Sequence, residues 1–519
     1  MQAIQVSRDI GGRVLTIGTG SIAKLAGGSV TVQYGETVVF GAVVRANPRE
    51  GIDFFPLQVD YRERRAAAGK FPGGFMKREG RPTTREVLIS RLIDRPLRPL
   101  FPKGFMDEVQ IQLSTLSYDR ENDCDILAGI AASACVAISD IPFTAPTAHA
   151  KVGRVDGQLI LNPTESQLAE SDMTLVVAGT KKFVNMIELE GREIPEDVVA
   201  AAIELGHQGV IQVVELIEEL VARCGKPKVF EPKHPDPGFV DAVRARVYDK
   251  IRAVKGSPGK HDRNEQIERI KEDLIAEMAP PVTDPNAPYL AFVAQKEEVR
   301  KIKAVFSEVE EQITREAILA GTRPDGRGFN DIRPISCAVG LLPRVHGSAL
   351  FTRGETQSLC TITLGTSSDE QLVDGLQDEY SQKFMLHYNF PSYSVGEVRP
   401  IRGPGRREIG HGALAEKSLL AVLPTVDQFP YTVRIISDIM ESNGSSSMAS
   451  ACGGCLALMD AGVPITNMVA GISIGLVQEN GRTELLTDII GEEDHFGDMD
   501  FKVVGTNNGV TAIQLDIKI

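Results

Sequence analysis

Residues 497–506 read Gly-Asp-Met-Asp-Phe-Lys-Val-Val-Gly-Thr, and residues 171–180 of the same chain read Ser-Asp-Met-Thr-Leu-Val-Val-Ala-Gly-Thr. The two stretches align without a gap, but their charges differ. Asp500 aligns with Thr174, and Lys502 aligns with Val176. The later stretch keeps charged side chains that the earlier one lacks, which indicates that the chemistry of the chain lies in its second half.

The match between the two halves extends well beyond these stretches. Arg-Glu-Val at 85–87 is followed 322 residues later by Arg-Glu-Ile at 407–409, and the same offset joins Pro102 to Pro424. The order of the matching blocks is kept while the offset drifts by a few residues, as loop insertions in a duplicated domain would produce. The sequence therefore predicts two homologous domains.

The region between the copies has a different pattern. Apolar residues recur at helical spacing from Pro195 to Cys224, and further helical runs lie near 239–254, 262–278 and 296–320. The two copies instead show short β-rich runs followed by helices of small residues, which is typical of an α+β fold. We predict a first copy over 1–180, an all-helical linking domain over 181–321 and a second copy over 322–519.

Composition limits the class of protein. The 519 residues are too many for one core, and no apolar run approaches the length of a membrane span. The first residues lack a signal pattern, and the seven cysteines have no framework spacing, so we expect a cytoplasmic protein without a membrane partner.

The charge is unevenly distributed along the chain. A net charge of −14 argues against a nucleic-acid partner, but residues 61–103 hold twelve Lys or Arg against four acids. Residues 484–500 hold seven acids and no Lys or Arg. A polyanion and a divalent cation are therefore both compatible with this acidic chain.

Three serines open a predicted helix in the second copy. Ser445, Ser446 and Ser447 follow a glycine, so that hydroxyls and free N–H groups face an anion. An ordinary N-cap is the alternative, although it needs only one such residue. The first copy has Asp123-Cys124-Asp125 at the aligned place, where carboxylates would repel phosphate. The contrast favours a phosphate site in the second copy.

Two arginines and a histidine form a second motif. Arg406 and Arg407 are suited to grip phosphate oxygens, and His411 follows one helical turn later. Arg406 aligns with Thr84 and His411 with Ile89, so both polar groups belong to the second copy only. Arg407 aligns with another arginine, which leaves a structural role open for it.

The acidic stretch provides a candidate metal site. Asp494 and Asp500 are predicted to share one Mg²⁺, with Mn²⁺ as the alternative metal, and Lys502 to neutralise developing charge. A solvated acidic loop is the competing interpretation.

A glycine-flanked basic loop lies in the first copy. Phe75, Lys77, Arg78 and Arg81 provide one aromatic ring and three cations, a combination that holds single-stranded RNA. A surface loop without a ligand is the alternative.

These motifs together resemble the polynucleotide phosphorylase family. The matching segments span the chain: Phe54–Leu57, Arg91–Pro96, Arg323–Arg327, Glu408–Gly412, Glu441–Ser447 and Asp494–Lys502. The resemblance implies two ribonuclease PH-like domains flanking the helical domain, a homotrimeric ring, and pore-lining loops at Gly73–Arg81. Family members carry KH and S1 domains after the second copy. From the resemblance we expect this chain to lack those domains and also the final helices of the second copy, which is then C-terminally incomplete.

The resemblance also implies a reaction. Orthophosphate held by the serines, His411 and the arginine pair attacks the 3′-terminal phosphodiester of single-stranded RNA. Asp494, Asp500 and Lys502 assist with Mg²⁺, and nucleoside diphosphates are released. The reaction is expected to be reversible and to serve mRNA degradation, with an RNA-degradation complex as a further partner.

Three other functions are compatible with parts of the sequence. The chain could be a catalytically silent RNA-binding ring, a hydrolytic nuclease or a small-molecule phosphotransferase. The intact second-copy motifs disfavour the first, the serines and arginines disfavour the second, and the basic loop disfavours the third. The identity of the released nucleotide separates a phosphorylase from a hydrolase.

Overall fold

The computed structural model describes residues 3–49, 51–52, 54–231, 235–255, 260–284 and 286–518. The first copy begins with a meander of strands and continues through helices that cover it. Its elements are β1 (Ile4–Ile10), β2 (Arg13–Thr19), β3 (Gly28–Tyr34), β4 (Thr37–Ala46), β5 (Leu57–Arg62), α1 (Thr84–Leu97), β6 (Glu108–Ser117), α2 (Cys124–Ile138), β7 (Ala148–Val155), β8 (Gln158–Leu161), α3 (Glu165–Ala169), β9 (Met173–Gly179) and β10 (Val184–Ile194).

Four helices follow, and the second copy then repeats the order of the first. The helices are α4 (Glu196–Cys224), α5 (Pro237–Lys255), α6 (Lys260–Met278) and α7 (Tyr289–Leu319). The second copy comprises β11 (Ile335–Val339), β12 (Gly347–Arg353), β13 (Thr356–Gly365), β14 (Gln371–Val373), β15 (Tyr380–Gln382), β16 (Phe384–Asn389), α8 (Arg406–Leu420), β17 (Thr432–Glu441), α9 (Ser446–Asp460), β18 (Ala470–Glu479), β19 (Arg482–Thr487), α10 (Gly491–Phe496), β20 (Met499–Gly505) and β21 (Val510–Ile517).

The two copies share one sheet. Its strand order is β19-β18-β20-β21-β10-β9-β7-β8, so equivalent strands lie at equal distances from the central pair. In that pair β10 and β21 are antiparallel, with Leu189 opposite Ile513. Each copy also has a sheet of its own, in the orders β1-β2-β3-β4-β6-β5 and β11-β12-β13-β17-β16. The sheet order shows the duplication directly in the topology.

Helix α2 is buried along its whole length because its side chains are small. Every residue from Cys124 to Ile138 is buried, and the helix packs between the strands of the first copy. Helix α9 holds the equivalent place in the second copy and is also rich in Ala, Gly and Ser. Small side chains let both helices approach the sheets closely.

The structure changes the description of the predicted helical region. Residues 181–321 also contain the strand β10, whose buried and part-buried residues largely alternate, as in a sheet strand. Helix α4 packs on the first copy, and a Cβ on Gly206 would lie 2.7 Å from Val177 Cγ2. Only α5–α7 build a separate core, around Val247 and Phe306. Helical periodicity identified the helices but could not show against which domain each one packs.

None of the helices in the described part of the chain is long and apolar enough to cross a membrane.

Candidate active site

A cavity of about 690 Å³ opens in the second copy, between α8, the first turn of α9, helix α10 and the shared sheet. Helix α1 of the first copy closes one side of it. The lining side chains that carry polar chemistry are Arg91, Glu397, Arg399, Arg407, His411, Ser442, Ser445, Ser446, Ser473, Asp494, His495, Asp500, Lys502, Gln514, Asp516 and Lys518. The cavity therefore combines cations, carboxylates and hydroxyls on one concave surface.

The serine turn before α9 is held in an unusual backbone conformation. Ser445 has φ +53°, in the left-handed region, and its side chain does not cap the helix. Gly444 has φ +93°, and a Cβ there would lie 2.7 Å from Gly491 N. The turn is thus wedged against the start of α10, and the ordinary N-cap interpretation does not apply to Ser445.

The hydroxyls of this turn have different surroundings. Ser446 Oγ hydrogen-bonds with Tyr388 Oη at 2.7 Å. The Oγ atoms of Ser445 and Ser447 are buried and have no hydrogen-bond partner among the described residues, although only Ser445 lines the cavity. A buried hydroxyl without a partner is costly unless a ligand supplies one.

His411 faces the cavity as a neutral base. Burial lowers the pKa of His411 well below its usual range, and the nearby cations Lys502, Arg407 and Arg91 lower it further. Its Nδ1 has no hydrogen-bond partner among the described residues. The neutral imidazole is therefore available to a ligand through this nitrogen.

The two predicted phosphate arginines point in different directions. Arg407 lines the cavity, with its guanidinium 5.9 Å from the centre of the Phe390 ring. Arg406 instead donates to Val59 O at 2.7 Å and forms an ion pair with Asp60 of the first copy. The structure brings only Arg407 to the cavity, because the partners of Arg406 lie in the other copy.

Two carboxylates and a lysine lie on the opposite wall. Asp500 and Lys502 point to the same face of β20 and form an ion pair, while Asp494 on α10 pairs with Lys518 at 3.0 Å. Burial raises the pKa of Asp500, and Asp494 raises it further against the effect of Lys502. Burial also acts to raise the pKa of Asp494, but Lys518 and Lys502 outweigh it and lower that pKa. The charge of Asp494 therefore acts on Asp500 on the same wall of the cavity.

Comparison with known proteins agrees with the duplicated architecture. The model of the 3′ exoribonuclease family, domain 1, matches residues 11–142 and 331–464, and that of domain 2 matches 145–209. The model described as polyribonucleotide nucleotidyltransferase, RNA binding domain, matches 239–328.

Curated proteins named polyribonucleotide nucleotidyltransferase match almost the whole chain. The protein of Rhodopirellula baltica is 54% identical over 520 residues, which cover 100% of this chain and 68% of that protein. The Heliobacterium modesticaldum protein is 53% identical, covering 99% of this chain and 71% of its own length. The Anaeromyxobacter dehalogenans protein is 50% identical, and the match covers 100% of this chain and 72% of that protein. The chain belongs to the polyribonucleotide nucleotidyltransferase family. The predicted family and fold class are thereby confirmed.

The first copy of this family member holds an ion cluster at the place that corresponds to the cavity. Lys151 Nζ pairs with Asp123 and lies 2.8 Å from Asp125 Oδ2, and Arg85 pairs with Asp123 at 2.8 Å. Asp123 and Asp125 align with the serine turn, and Arg85 aligns with Arg407. The internal ion pairs fill the place where the second copy has unpartnered hydroxyls, so the first copy cannot offer the same anion site.

Sequence reasoning missed several polar groups at the cavity, among them Ser473 and Arg91. Ser473 is fully buried, and its Oγ has no hydrogen-bond partner among the described residues. It lies 322 residues after Lys151, so the repeat offset could have identified it. Arg91 reaches the cavity from the first copy, and a Cβ on Gly410 would lie 2.4 Å from its Nε. Arg91 begins the family-matching segment Arg91–Pro96, but we did not assign it to the site, because its copy was expected to be non-catalytic.

The predicted RNA loop lies outside the cavity. Phe75 is 98% exposed on the segment between β5 and α1, and Lys77, Arg78 and Arg81 are exposed beside it. The loop contacts the second copy through Arg65, which pairs with Asp374 at 2.6 Å, and through Lys70, whose Nζ donates to Gln377 O at 2.6 Å. The four side chains are free to contact a ligand that passes over this face.

Proposed function

We propose that the chain is a phosphate-dependent 3′-to-5′ exoribonuclease that releases nucleoside diphosphates from single-stranded RNA. One observation carries the proposal: a single cavity presents unpartnered buried hydroxyls, a neutral imidazole and arginines opposite a carboxylate pair. The hydroxyls and cations suit orthophosphate, and the carboxylates suit a cation that binds the RNA phosphate. The names of the relatives support the same reaction class.

Orthophosphate binding is assigned to the wall that carries the serine turn. Ser445 Oγ and His411 Nδ1 face the bound anion, and Arg407 contributes charge. We keep Ser446 and Ser447 as supports of the turn, since the first bonds to Tyr388 and the second does not line the cavity. Arg406 acts through its ion pair with Asp60, which fixes the start of α8.

The carboxylate wall fits a divalent cation with few protein ligands. No group of three or more His, Cys, Asp or Glu among the described residues is arranged to hold a metal. Asp494 and Asp500 nevertheless line one cavity, and the charge of Asp494 raises the pKa of Asp500, an effect that a bound cation would relieve. Mg²⁺ commonly uses one or two carboxylates and completes its shell with water and substrate oxygens. These two residues would hold Mg²⁺ or Mn²⁺, which would stabilise charge on the scissile phosphate.

The reaction needs no protein nucleophile. An oxygen of orthophosphate forms a bond to the phosphorus of the last phosphodiester, and the bond from that phosphorus to the preceding 3′ oxygen breaks. Lys502 neutralises charge on the oxygens of the transferring group. The 3′ oxygen takes a proton, so the products are a nucleoside diphosphate and RNA shortened by one residue. Exchange of one phosphoester for a diphosphate linkage makes extension of RNA from nucleoside diphosphates the reverse reaction.

RNA would reach the cavity over the first copy. Phe75 offers an exposed ring for stacking, and Lys77, Arg78 and Arg81 offer charge to the backbone. We propose a homotrimer whose loops surround one RNA path, a role in mRNA degradation with an RNA-degradation complex as partner, and a cytoplasmic location. The free state of all seven cysteines supports a reducing compartment. We retain three domains, but we move the boundary between the first copy and the linking domain to the residues after Cys224.

The decisive experiment identifies the released nucleotide. The protein is incubated with oligo(A) and Mg²⁺, with and without orthophosphate. We expect ADP, and only when phosphate is present. AMP released without phosphate would make the protein a hydrolase, and absence of any release with intact RNA binding would favour the silent ring scaffold.

A further inference from the structure

The short helix α10 carries Asp494 and is held in place by contacts from its own domain and from the linking domain. It comprises six residues, Gly491–Phe496, and follows directly on the strand hairpin of the second copy. A helix of this length has too few internal hydrogen bonds to be stable alone. Its position therefore depends on the groups that contact it.

The first contacts are made at the start of α10. Glu492 forms an ion pair with Lys255, and its Oε1 also accepts a hydrogen bond from Thr314 Oγ1 at 3.3 Å. Lys255 is the last residue of α5 and pairs at the same time with Glu310 of α7 at 2.7 Å. Its Nζ also lies 5.4 Å from the centre of the Phe496 ring. One lysine thus joins two helices of the linking domain to both ends of α10.

Two arginines hold the remaining sides of the helix. Arg323 forms a bidentate pair with Glu493, with both distances 2.8 Å and both side chains fully buried. Arg315 of α7 donates to Phe496 O at 3.0 Å and to both oxygens of Asp498, at 2.7 and 2.9 Å. Asp498 is consequently a structural acid that fixes the residues between α10 and β20.

We propose that Lys255 is a positioning residue for the metal site: through Glu492 it sets the place of Asp494 relative to Asp500. The inference rests on the proposed function, because it concerns the cation that these two carboxylates would hold. Asp494 reaches the cavity from α10, whereas Asp500 reaches it from the rigid sheet. Asp494 lies on the helix that Lys255 contacts, whereas Asp500 lies within β20 between β18 and β21, so a displacement of α5 and α7 changes the spacing of the two carboxylates.

The sign of the effect separates positioning from simple electrostatics. Removing a cation near two carboxylates strengthens their attraction for another cation, so a purely electrostatic role predicts tighter metal binding by Lys255→Met. Loss of positioning predicts weaker binding, by about tenfold for a residue that orients a metal ligand. The two roles therefore give opposite results with the same variant.

The test measures Mn²⁺ binding to the full chain by electron paramagnetic resonance, in the absence of RNA and phosphate. We expect Lys255→Met to weaken Mn²⁺ binding about tenfold and Lys255→Arg to restore most of it. Lys250→Met is the matched control, since Lys250 is exposed on the same helix, and it should bind Mn²⁺ as the wild type does. Unchanged or tighter binding by Lys255→Met overturns the proposal.

A double-mutant cycle tests the route through Glu492. If Lys255 acts through this residue, Lys255→Met combined with Glu492→Gln weakens Mn²⁺ binding no more than the stronger single variant. Fully additive losses contradict that route. If Lys255→Met does not fold by circular dichroism, Thr314→Val replaces it and is expected to weaken binding by two- to fivefold, roughly one hydrogen bond. Mn²⁺ binding by Thr314→Val as tight as that of the wild type would then overturn the proposal. Because the readout is metal binding, its outcome is independent of which nucleotide the enzyme releases.

Discussion

Ser473 and Lys151 occupy equivalent register positions in the two halves of the shared sheet. Ser473 on β18 pairs with Lys502 on β20, and Lys151 on β7 pairs with Val176 on β9. In the second copy the lysine of this pair of strands is Lys502, which lies on β20 and faces the cavity. In the first copy it is Lys151, which lies on β7, and its ammonium is held between Asp123 and Asp125. The same backbone thus supports an open anion site in one copy and a closed ion cluster in the other.

Ser445 separates the requirements of stability and of phosphate binding. Its left-handed φ of +53° is unfavourable for a residue with a side chain, so Ser445→Gly should stabilise the fold by roughly 1 kcal/mol. The same change removes a hydroxyl that faces the cavity, and we expect the KM for orthophosphate to rise at least tenfold. Thermal unfolding and phosphate-dependence of ADP release measure the two effects.

The control for this variant is Ala23→Gly, because Ala23 has φ +51° on an exposed loop of the first copy. It should show a comparable gain in stability with an unchanged KM for orthophosphate. An unchanged KM in Ser445→Gly as well would remove Ser445 from the phosphate site.

Gly410 makes room for Arg91. A Cβ at this position would lie 2.4 Å from Arg91 Nε, so Gly410→Ala must displace the guanidinium. We expect kcat/KM for RNA to fall by roughly 10- to 150-fold, as for loss of a charged hydrogen bond of about 1.5–3 kcal/mol. Arg91→Gln should give a similar loss, and the double variant should lose little more. Gly403→Ala is the control, since no atom among the described residues lies within 4 Å of a Cβ added there. Independent, additive losses would show that Gly410 does not act through Arg91.

The contrast between the copies explains which site residues could be predicted. The carboxylates, Lys502, His411 and the serine turn lie in short motifs that the first copy lacks, so the sequence alone was sufficient to propose them. The role of Arg406 depends on Asp60, 346 residues away, and a motif of two adjacent arginines cannot show that only one faces the cavity.

For the fold, the sequence likewise predicted the local elements but not all of the packing between them. Periodicity identified the α+β copies and the helices between them, since both patterns are local. The assignment of α4 and β10 to the first copy depends on packing, through contacts such as Gly206 against Val177. Arg91 was missed for a related reason, because its position at the cavity arises from contacts between the copies.

Asp500 is the carboxylate on which the proposed metal site depends most strongly. Asp500→Ala removes one of the two proposed metal ligands and leaves Lys502 without its ion-pair partner. We expect both RNA phosphorolysis and the extension of RNA from ADP to fall by at least 10²-fold, because a charge that stabilises the transition state is lost. Excess Mg²⁺ should restore little activity. The variant should keep the oligomeric state of the wild type by size-exclusion chromatography, and retained phosphorolysis would contradict the metal assignment.

His149 makes the stability of the first copy dependent on pH. Burial lowers its pKa to about 4, against the weaker opposing effect of its contact with Leu92 O. The pKa of this histidine in the unfolded chain is about 6.5. Between about pH 6.5 and pH 4 the unfolded chain therefore binds a proton that the folded chain does not, so the free energy of unfolding falls as the pH falls. The loss from this residue between pH 7.5 and pH 5 is about 2 kcal/mol.

His149→Gln should therefore lose less stability on acidification than the wild type, whatever its stability at pH 7.5. The measurement is the shift of the thermal midpoint between pH 7.5 and pH 5 for both proteins. Equal shifts would show that His149 does not titrate differently in the folded and unfolded chains.

The basic loop of the first copy should govern the salt dependence of RNA binding. Lys77 and Arg78 are exposed beside Phe75, and each phosphate contact to single-stranded RNA adds about 0.7 to the slope of log K against log salt. Replacing both with alanine should reduce that slope by about 1.4 and weaken binding of a long oligo(A) at low salt. Lys24→Ala with Lys103→Ala removes the same charge from two other exposed loops of this copy and is the control. Equal slopes for the two double variants would mean that the loop contributes only general charge, and that the RNA path does not cross it.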